Sequence, residues 1–66
     1  MILVHIVDNI ESSHSSADDE NEAKAEIADW VEERTGERPD TGLPVDEFLT
    51  GVNERMAPYT AEIIGL

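Results

Sequence analysis

The chain has 66 residues, no cysteine, and sixteen Asp and Glu against four Lys and Arg, so its formal net charge is −12. A chain of this length forms one small domain, residues 1–66, without a cleft between two lobes. The composition excludes disulfides and thiolate metal sites. The charge excludes binding to nucleic acid or to an anionic membrane through a basic patch.

Residues 2–10 are rich in β-branched side chains and predict a β-strand. Apolar residues fall on both sides of this strand, so we expect it to be covered on both faces or to meet a neighbouring chain. His5 is expected to be a half-buried packing residue. The apolar run has no basic leader and is too short to span a bilayer, which predicts a soluble, cytoplasmic protein.

A serine-rich segment, residues 11–16, predicts a polar connector that leads into a helix over residues 17–35. Ser15 or Ser16 is the expected N-cap of this helix. Gly36 is the expected left-handed stop at its carboxyl end.

The outward side of this first helix consists of carboxylates. On a wheel of about 100° per residue, the apolar side chains share an arc of about 100° and the acids an opposite arc of about 140°. Like charges three or four residues apart disfavour a helix by about 0.2–0.5 kcal/mol per pair, so the acids oppose the stability of their own helix. We therefore predict that they form a partner-binding surface. This surface, the acidic face, comprises Asp18, Asp19, Glu22, Glu26, Asp29, Glu32 and Glu33.

The second half of the chain predicts a turn-rich link at residues 37–43, a helix that starts at Pro44 and stops before Pro58, and a closing strand at residues 59–66. The predicted fold class is α+β, with the order β-α-α-β. Two helices pack on one face of a two-stranded antiparallel sheet. The free edges of so small a sheet could pair with a second copy, so a homodimer is an open alternative.

No catalytic motif is present, and we expect neither an enzyme nor a cofactor-binding protein. The serines beside His14 lack a nucleophile elbow, and the simplest role of His14 is none. Residues 18–22 lack the alternating ligands and the glycine of a calcium loop, so no specific metal site is predicted. Trp30 and Tyr59 are expected to be core residues.

The acidic face has the geometry of a rod of negative charge. Carboxylates four residues apart lie about 6 Å apart along a helix, whereas duplex DNA carries one charge per about 1.7 Å of its axis. The rod is sparser than DNA, but a basic channel built for DNA attracts such a surface and is blocked by it. The expected partner is therefore a basic DNA-binding protein.

In its small size, lack of cysteine, extreme acidity and compact α+β organisation, particularly over residues 18–33, the chain resembles the small phage-encoded anti-CRISPR proteins that mimic double-stranded DNA. The resemblance rests on organisation and not on a motif. It implies a non-enzymatic inhibitor in the host-cell cytoplasm. The implied target is the basic DNA-binding surface of a CRISPR surveillance complex of type I, which the inhibitor occludes without chemistry.

The acidity is also compatible with two roles that involve no DNA mimicry. The carboxylates can form an ordinary solvated helix face, or the chain can be a salt-adapted acidic structural or protein-interaction domain of the kind found in halophiles. A single Lys against three Arg is compatible with salt adaptation. A salt-adapted domain should gain stability strongly in molar salt, whereas a mimic should lose its partner as salt rises.

Overall fold

The computed structural model describes residues 2–9 and 11–65, which form a three-stranded antiparallel sheet with two helices on one face. The predicted α+β class, with two helices packed on an antiparallel sheet, is confirmed. Ile10 and Leu66, both predicted to lie in strands, are outside the described residues. The elements are β1 (Ile2–Asp8), β2 (Glu11–Ala17), α1 (Glu20–Thr35), α2 (Val45–Met56) and β3 (Thr60–Ile64), and the strand order is β2-β1-β3.

The polar connector predicted at residues 11–16 is wrong, because this segment belongs to β2. The element order is therefore β-β-α-α-β, and the sheet has three strands instead of two. Asp8 pairs with Glu11, and Asn9 between them has a φ of 63°, a left-handed conformation that asparagine tolerates. Only Ala17 of β2 is buried. Backbone pairing with the apolar β1, and not side-chain burial, therefore holds β2 in the sheet.

The start of α1 also differs from the prediction. The helix begins at Glu20, and its N-cap is Asp19, whose side chain accepts a hydrogen bond from the backbone N–H of Glu22 at 2.8 Å. Ser15 and Ser16, the predicted caps, lie in β2. The apolar wheel pattern fixes the face of a helix, but several cap residues in a row leave its first turn ambiguous.

The other ends of the helices agree with the sequence. Gly36 takes the left-handed conformation, with a φ of 80°, and its N–H donates to the carbonyl of Glu32 at 2.8 Å. Pro44 is the N-cap of α2, where its missing N–H costs no helix hydrogen bond. The second helix ends at Met56, two residues before Pro58.

The core lies between the sheet and the two helices. Trp30, Tyr59 and Ile6 are half-buried and pack against it. Ala23 and Ala28 are fully buried, and their small side chains let α1 lie close to its neighbours. Together with these two alanines, the buried apolar residues are Val4, Ala17, Ile27, Val31, Phe48, Val52, Met56 and Ala61.

The sheet has one covered face and one open face. Val4 points into the core, whereas Leu3, His5 and Val7 alternate with the inward residues of β1 and point to the other side. No helix among the described residues covers that side. We call it the outer sheet face, formed by the outward-pointing residues of β1, β2 and β3.

Candidate partner-binding surface

The acidic face lies along the solvent-exposed flank of α1 and on the two residues before it. Asp18 and Asp19 immediately precede the helix, and the other five acids lie on it. Glu26 is half-buried, and the remaining six residues are exposed. Ile27 and Val31 are fully buried. These anchors fix the direction in which the acids point, as the helical wheel predicted.

The amino end of the acidic face supports the helix. Besides the bond from Glu22 to Asp19, the Glu22 side chain accepts a hydrogen bond from the backbone N–H of Asp18 at 3.3 Å. This is a reciprocal arrangement of the capping-box type, and it places negative charge at the positive end of the helix dipole. Here the acids stabilise α1. The predicted destabilisation of α1 by repulsion among its acids therefore applies only to the later turns of the helix.

The middle of the face is tied to the sheet. The hydroxyl of Ser15 donates to Glu26 Oε2 at 2.6 Å, which joins β2 to α1. This contact explains why Glu26 is the least exposed of the predicted site residues. The contact depends on the strand conformation of residues 11–16, which the sequence did not predict.

The carboxyl end of the face carries a cation that the helical wheel does not show. Arg38 Nη1 lies 2.6 Å from Asp29 Oδ1 and 3.2 Å from Glu32 Oε1. The chain turns back at Gly36 and brings the guanidinium across the end of the helix. The hydrogen bond with Asp29 raises the pKa of Arg38 above its ordinary value, with a smaller contribution from Glu32. Asp29 and Glu32 are thus partly neutralised.

The other three cations of the chain are also engaged. Lys24 is buried in the first helix, with its ammonium 3.6 Å from Glu20. Arg34 pairs with Asp8, which also accepts a 3.1 Å hydrogen bond from the Trp30 indole. The last cation, at position 55, pairs with an acid of the link at 3.2 Å. Every Lys and Arg therefore has a carboxylate partner.

A groove of about 380 Å³ lies between the end of the β1–β2 hairpin and α1. The side chain of Trp30 forms part of its wall, and serines of β2 line the opposite side. Five carboxylates surround it, and such a groove suits cationic side chains, because it offers charged acceptors beside an aromatic ring. The two acids from the hairpin were not predicted from the sequence. The five are Asp8, Glu11, Glu26, Asp29 and Glu33.

The negative surface extends over the second helix. Asp46, Glu47 and Glu54 are exposed on α2, which packs beside α1 on the same face of the sheet. None of these three residues pairs with a cation within residues 2–9 and 11–65. The acids of α2 therefore widen the field of the acidic face.

His5 and His14 lie together on the outer sheet face, away from the acids of α1. Their rings stack with centroids 4.1 Å apart and planes 10° apart. His5 is half-buried, as predicted, and its Nδ1 lies 2.8 Å from Glu62 Oε1. A carboxylate only accepts, so Nδ1 of His5 carries the proton and donates. His14, for which the sequence predicted no role, thus has a defined contact.

Among residues 2–9 and 11–65, no group of three or more His, Asp or Glu could hold a metal ion. None of the helices described has both the length and the apolar character needed to cross a bilayer.

Fold and surface define a small acidic α+β domain whose helical side is lined by carboxylates. Compared with known proteins, the chain matches no protein-family model, no curated protein and no solved structure.

Proposed function

We propose that the chain is a non-enzymatic inhibitor that mimics double-stranded DNA. Its acidic face occupies the basic DNA-binding surface of another protein and excludes DNA from it. The observation that carries this proposal is the row of carboxylates along α1 in a chain whose four cations are all engaged with carboxylates.

Charge distribution supports the proposal. A chain with a net charge of −12 is attracted to basic surfaces. Screening limits this attraction to about 8 Å at physiological salt, so close approach requires acids that project from the surface. Glu33 and Glu22 are exposed and have no cationic partner in the described chain. They can meet a basic groove directly.

Rigidity supports it as well. The cap at Asp19, the bond from Ser15 to Glu26 and the buried side chain of Ile27 hold the acidic face in one arrangement. Ordering a flexible acidic segment would cost about 0.5–1.5 kcal/mol for each immobilised side chain. A preformed face avoids part of that cost, which a disordered acidic tail would incur.

By its resemblance to anti-CRISPR DNA mimics, the chain is proposed to bind a type I CRISPR surveillance complex where that complex recognises DNA. The inhibition would be competitive. Excess duplex DNA would displace the protein, and the protein would displace DNA.

The direct test is a mobility-shift assay of target DNA with a purified type I surveillance complex, with and without the protein. We expect the protein to prevent the shift and duplex DNA to compete with it. Capture from a host lysate, followed by elution with duplex DNA, tests the broader proposal when the complex itself does not bind. DNA mimicry would be refuted if the protein left the mobility shift unchanged and capture from the lysate recovered no DNA-binding protein.

A matched pair of variants tests the face. The triple variant E26K/D29K/E33K reverses the charge of three acids that line the groove between the β1–β2 hairpin and α1. It leaves the cap residues Asp19 and Glu22 unchanged. The control D46K/E47K/E54K makes the same change of charge on α2. We expect the first variant to lose inhibition by at least about a hundredfold and the control to lose far less, because close contacts outweigh screened distant charges. Equal losses would mean that bulk charge, and not the acidic face, is responsible.

Salt adaptation is a second candidate, and two observations favour it. The exposed acids are not confined to α1, since Asp46, Glu47 and Glu54 lie on α2, and the single lysine is buried. A salt-adapted domain would unfold in dilute buffer and would bind no DNA-binding protein. Unfolding curves in dilute buffer and in molar salt separate the two candidates.

A further inference from the structure

The outer sheet face differs in charge from the rest of the molecule. In the paired register, its only carboxylate is Glu62, although the chain has sixteen acids. Among residues 2–9 and 11–65, three large apolar side chains are exposed, and two of them, Leu3 and Ile64, lie directly opposite each other on this face and are 36% and 46% exposed. A surface that carries three apolar side chains and a single carboxylate in the paired register offers this acidic chain a place to contact a copy of itself.

The central row of the face is asymmetric. His5 pairs in register with His14 on one side and with Glu62 on the other. The row therefore reads imidazole, imidazole, carboxylate across the three strands. One end can donate a hydrogen bond through an imidazole N–H, and the other end accepts.

We propose that two copies of the chain associate through their outer sheet faces, about a twofold axis that runs parallel to the strands. This axis reverses the order of strands between the copies. His14 of each copy then lies opposite Glu62 of the second copy, and this contact occurs twice. Leu3 and Val7, on the central strand, meet their own equivalents near the axis. The interface is isologous and closed.

The row of His14, His5 and Glu62 favours this axis over the alternative twofold axis. A twofold axis perpendicular to the strands would place His14 opposite His14 and Glu62 opposite Glu62. Two facing carboxylates repel each other, whereas an imidazole N–H and a carboxylate form a charge-assisted hydrogen bond. Complementarity therefore favours the axis parallel to the strands.

Association through the β3 edge is disfavoured. The side-chain amide of Asn53 donates to the carbonyl of Ala61 at 3.1 Å and accepts from its N–H at 2.7 Å. These are the backbone groups that an added strand would use at this position. A strand added at the β3 edge would therefore have to displace a side chain of α2 at Ala61.

The size of the face sets the expected strength. With standard strand spacing and rise, three strands paired over five residues give a footprint of roughly 15 by 17 Å. Stable complexes bury about 800 Å² per partner, which is more than this face provides. We expect a weak, reversible dimer with a dissociation constant of about 10–1,000 μM.

Sedimentation equilibrium over a wide range of concentrations tests the proposal. We expect the natural chain to dimerise and H14E to dimerise at least about tenfold more weakly, because the carboxylate introduced at position 14 would face Glu62 of the second copy. Adding E62K to H14E should restore association to within about threefold of the natural chain, by reversing the direction of the pair. E54K, on α2, is the control for the charge reversal in E62K and should not restore association when added to H14E. Circular dichroism checks that each variant is folded.

The outcomes are distinct. A chain that stays monomeric to millimolar concentration overturns the proposal. A dimer that H14E leaves unchanged overturns the choice of this face. A double variant as weak as H14E contradicts the axis parallel to the strands, since only that axis brings positions 14 and 62 together. None of these results depends on binding of a DNA-binding protein by the acidic face.

Discussion

The ammonium of Lys24 donates a 2.7 Å hydrogen bond to the carbonyl of Leu43. Lys24 lies in the second turn of α1 and is 3% exposed, whereas Leu43 belongs to the link between the helices. The contact therefore fastens the link to the first helix. A buried lysine normally requires such partners, because desolvation of an unpaired ammonium is costly.

Replacing Lys24 should test this fastening. We expect K24A to lower the free energy of unfolding by about 2 kcal/mol, through loss of a buried charge-assisted hydrogen bond and of the packed methylene stem. R55A is the matched control, since it removes an exposed cation paired with Glu37 and should cost less than about 1 kcal/mol. Urea unfolding of both variants provides the comparison. Equal losses would show that Lys24 is no more than a surface residue.

The cap of α1 gives a second prediction. D19A should lower the free energy of unfolding by about 1 kcal/mol, because the N–H of Glu22 loses its acceptor. In D18A the bond from the Asp18 backbone to Glu22 can persist, so the cost should be smaller. The free energies of unfolding of D19A and D18A, measured by thermal or urea unfolding, provide the comparison. If D18A proves the more harmful change, Asp19 is not the effective cap.

A third prediction concerns Asn53, whose side chain occupies backbone hydrogen-bonding groups at the free edge of β3. N53A should cost about 1–3 kcal/mol, because it removes both hydrogen bonds to the backbone of Ala61. It should also expose an edge able to pair with another strand. T50A, on the exposed side of the same helix, is the control and should change stability by less than about 0.5 kcal/mol.

Aggregation provides a separate readout for N53A. Light scattering at high concentration should rise for N53A and stay low for T50A. An aggregation-free N53A with unchanged stability would mean that the side chain does not protect the edge.

The fourth prediction concerns salt. Raising NaCl from about 0.01 M to about 0.5 M should stabilise the fold by roughly 1 kcal/mol, because screening weakens repulsion among the acids while the buried core is unaffected. Unfolding curves in urea at each salt concentration measure the change. A fold that exists only in molar salt would favour salt adaptation over mimicry.

The two helices were predictable because their apolar residues recur with the period of an α-helix. The buried residues Ile27, Phe48 and Val52 lie where the wheel placed them, and Gly36 ends α1 because only a residue tolerant of positive φ suits that position. The face of α1 that carries the acids follows from the same pattern.

The rest depended on contacts distant in sequence. The strand β2 has no alternation of apolar residues, so its sequence contains no strand signal of its own, and only pairing with β1 reveals it. For the same reason the groove beside Trp30 and the stack of His5 on His14 were not predictable. Arg38 was also missed, because a helical wheel describes one element and cannot show a cation delivered by the chain beyond it.

Arg38 behaves as a tethered counter-ion. A guanidinium from a DNA-binding groove would replace it one for one at Asp29 and Glu32, so at these two acids binding would exchange an ion pair without adding one. The net gain would come instead from acids such as Glu33, whose counter-ions are mobile salt. Removing the tether in R38A should therefore tighten binding to a basic partner, while a loss of affinity would show that Arg38 holds the acids in a productive arrangement. For the proposed function, the turn at Gly36 therefore supplies a cation of the same chain that would compete with a basic partner at these two acids.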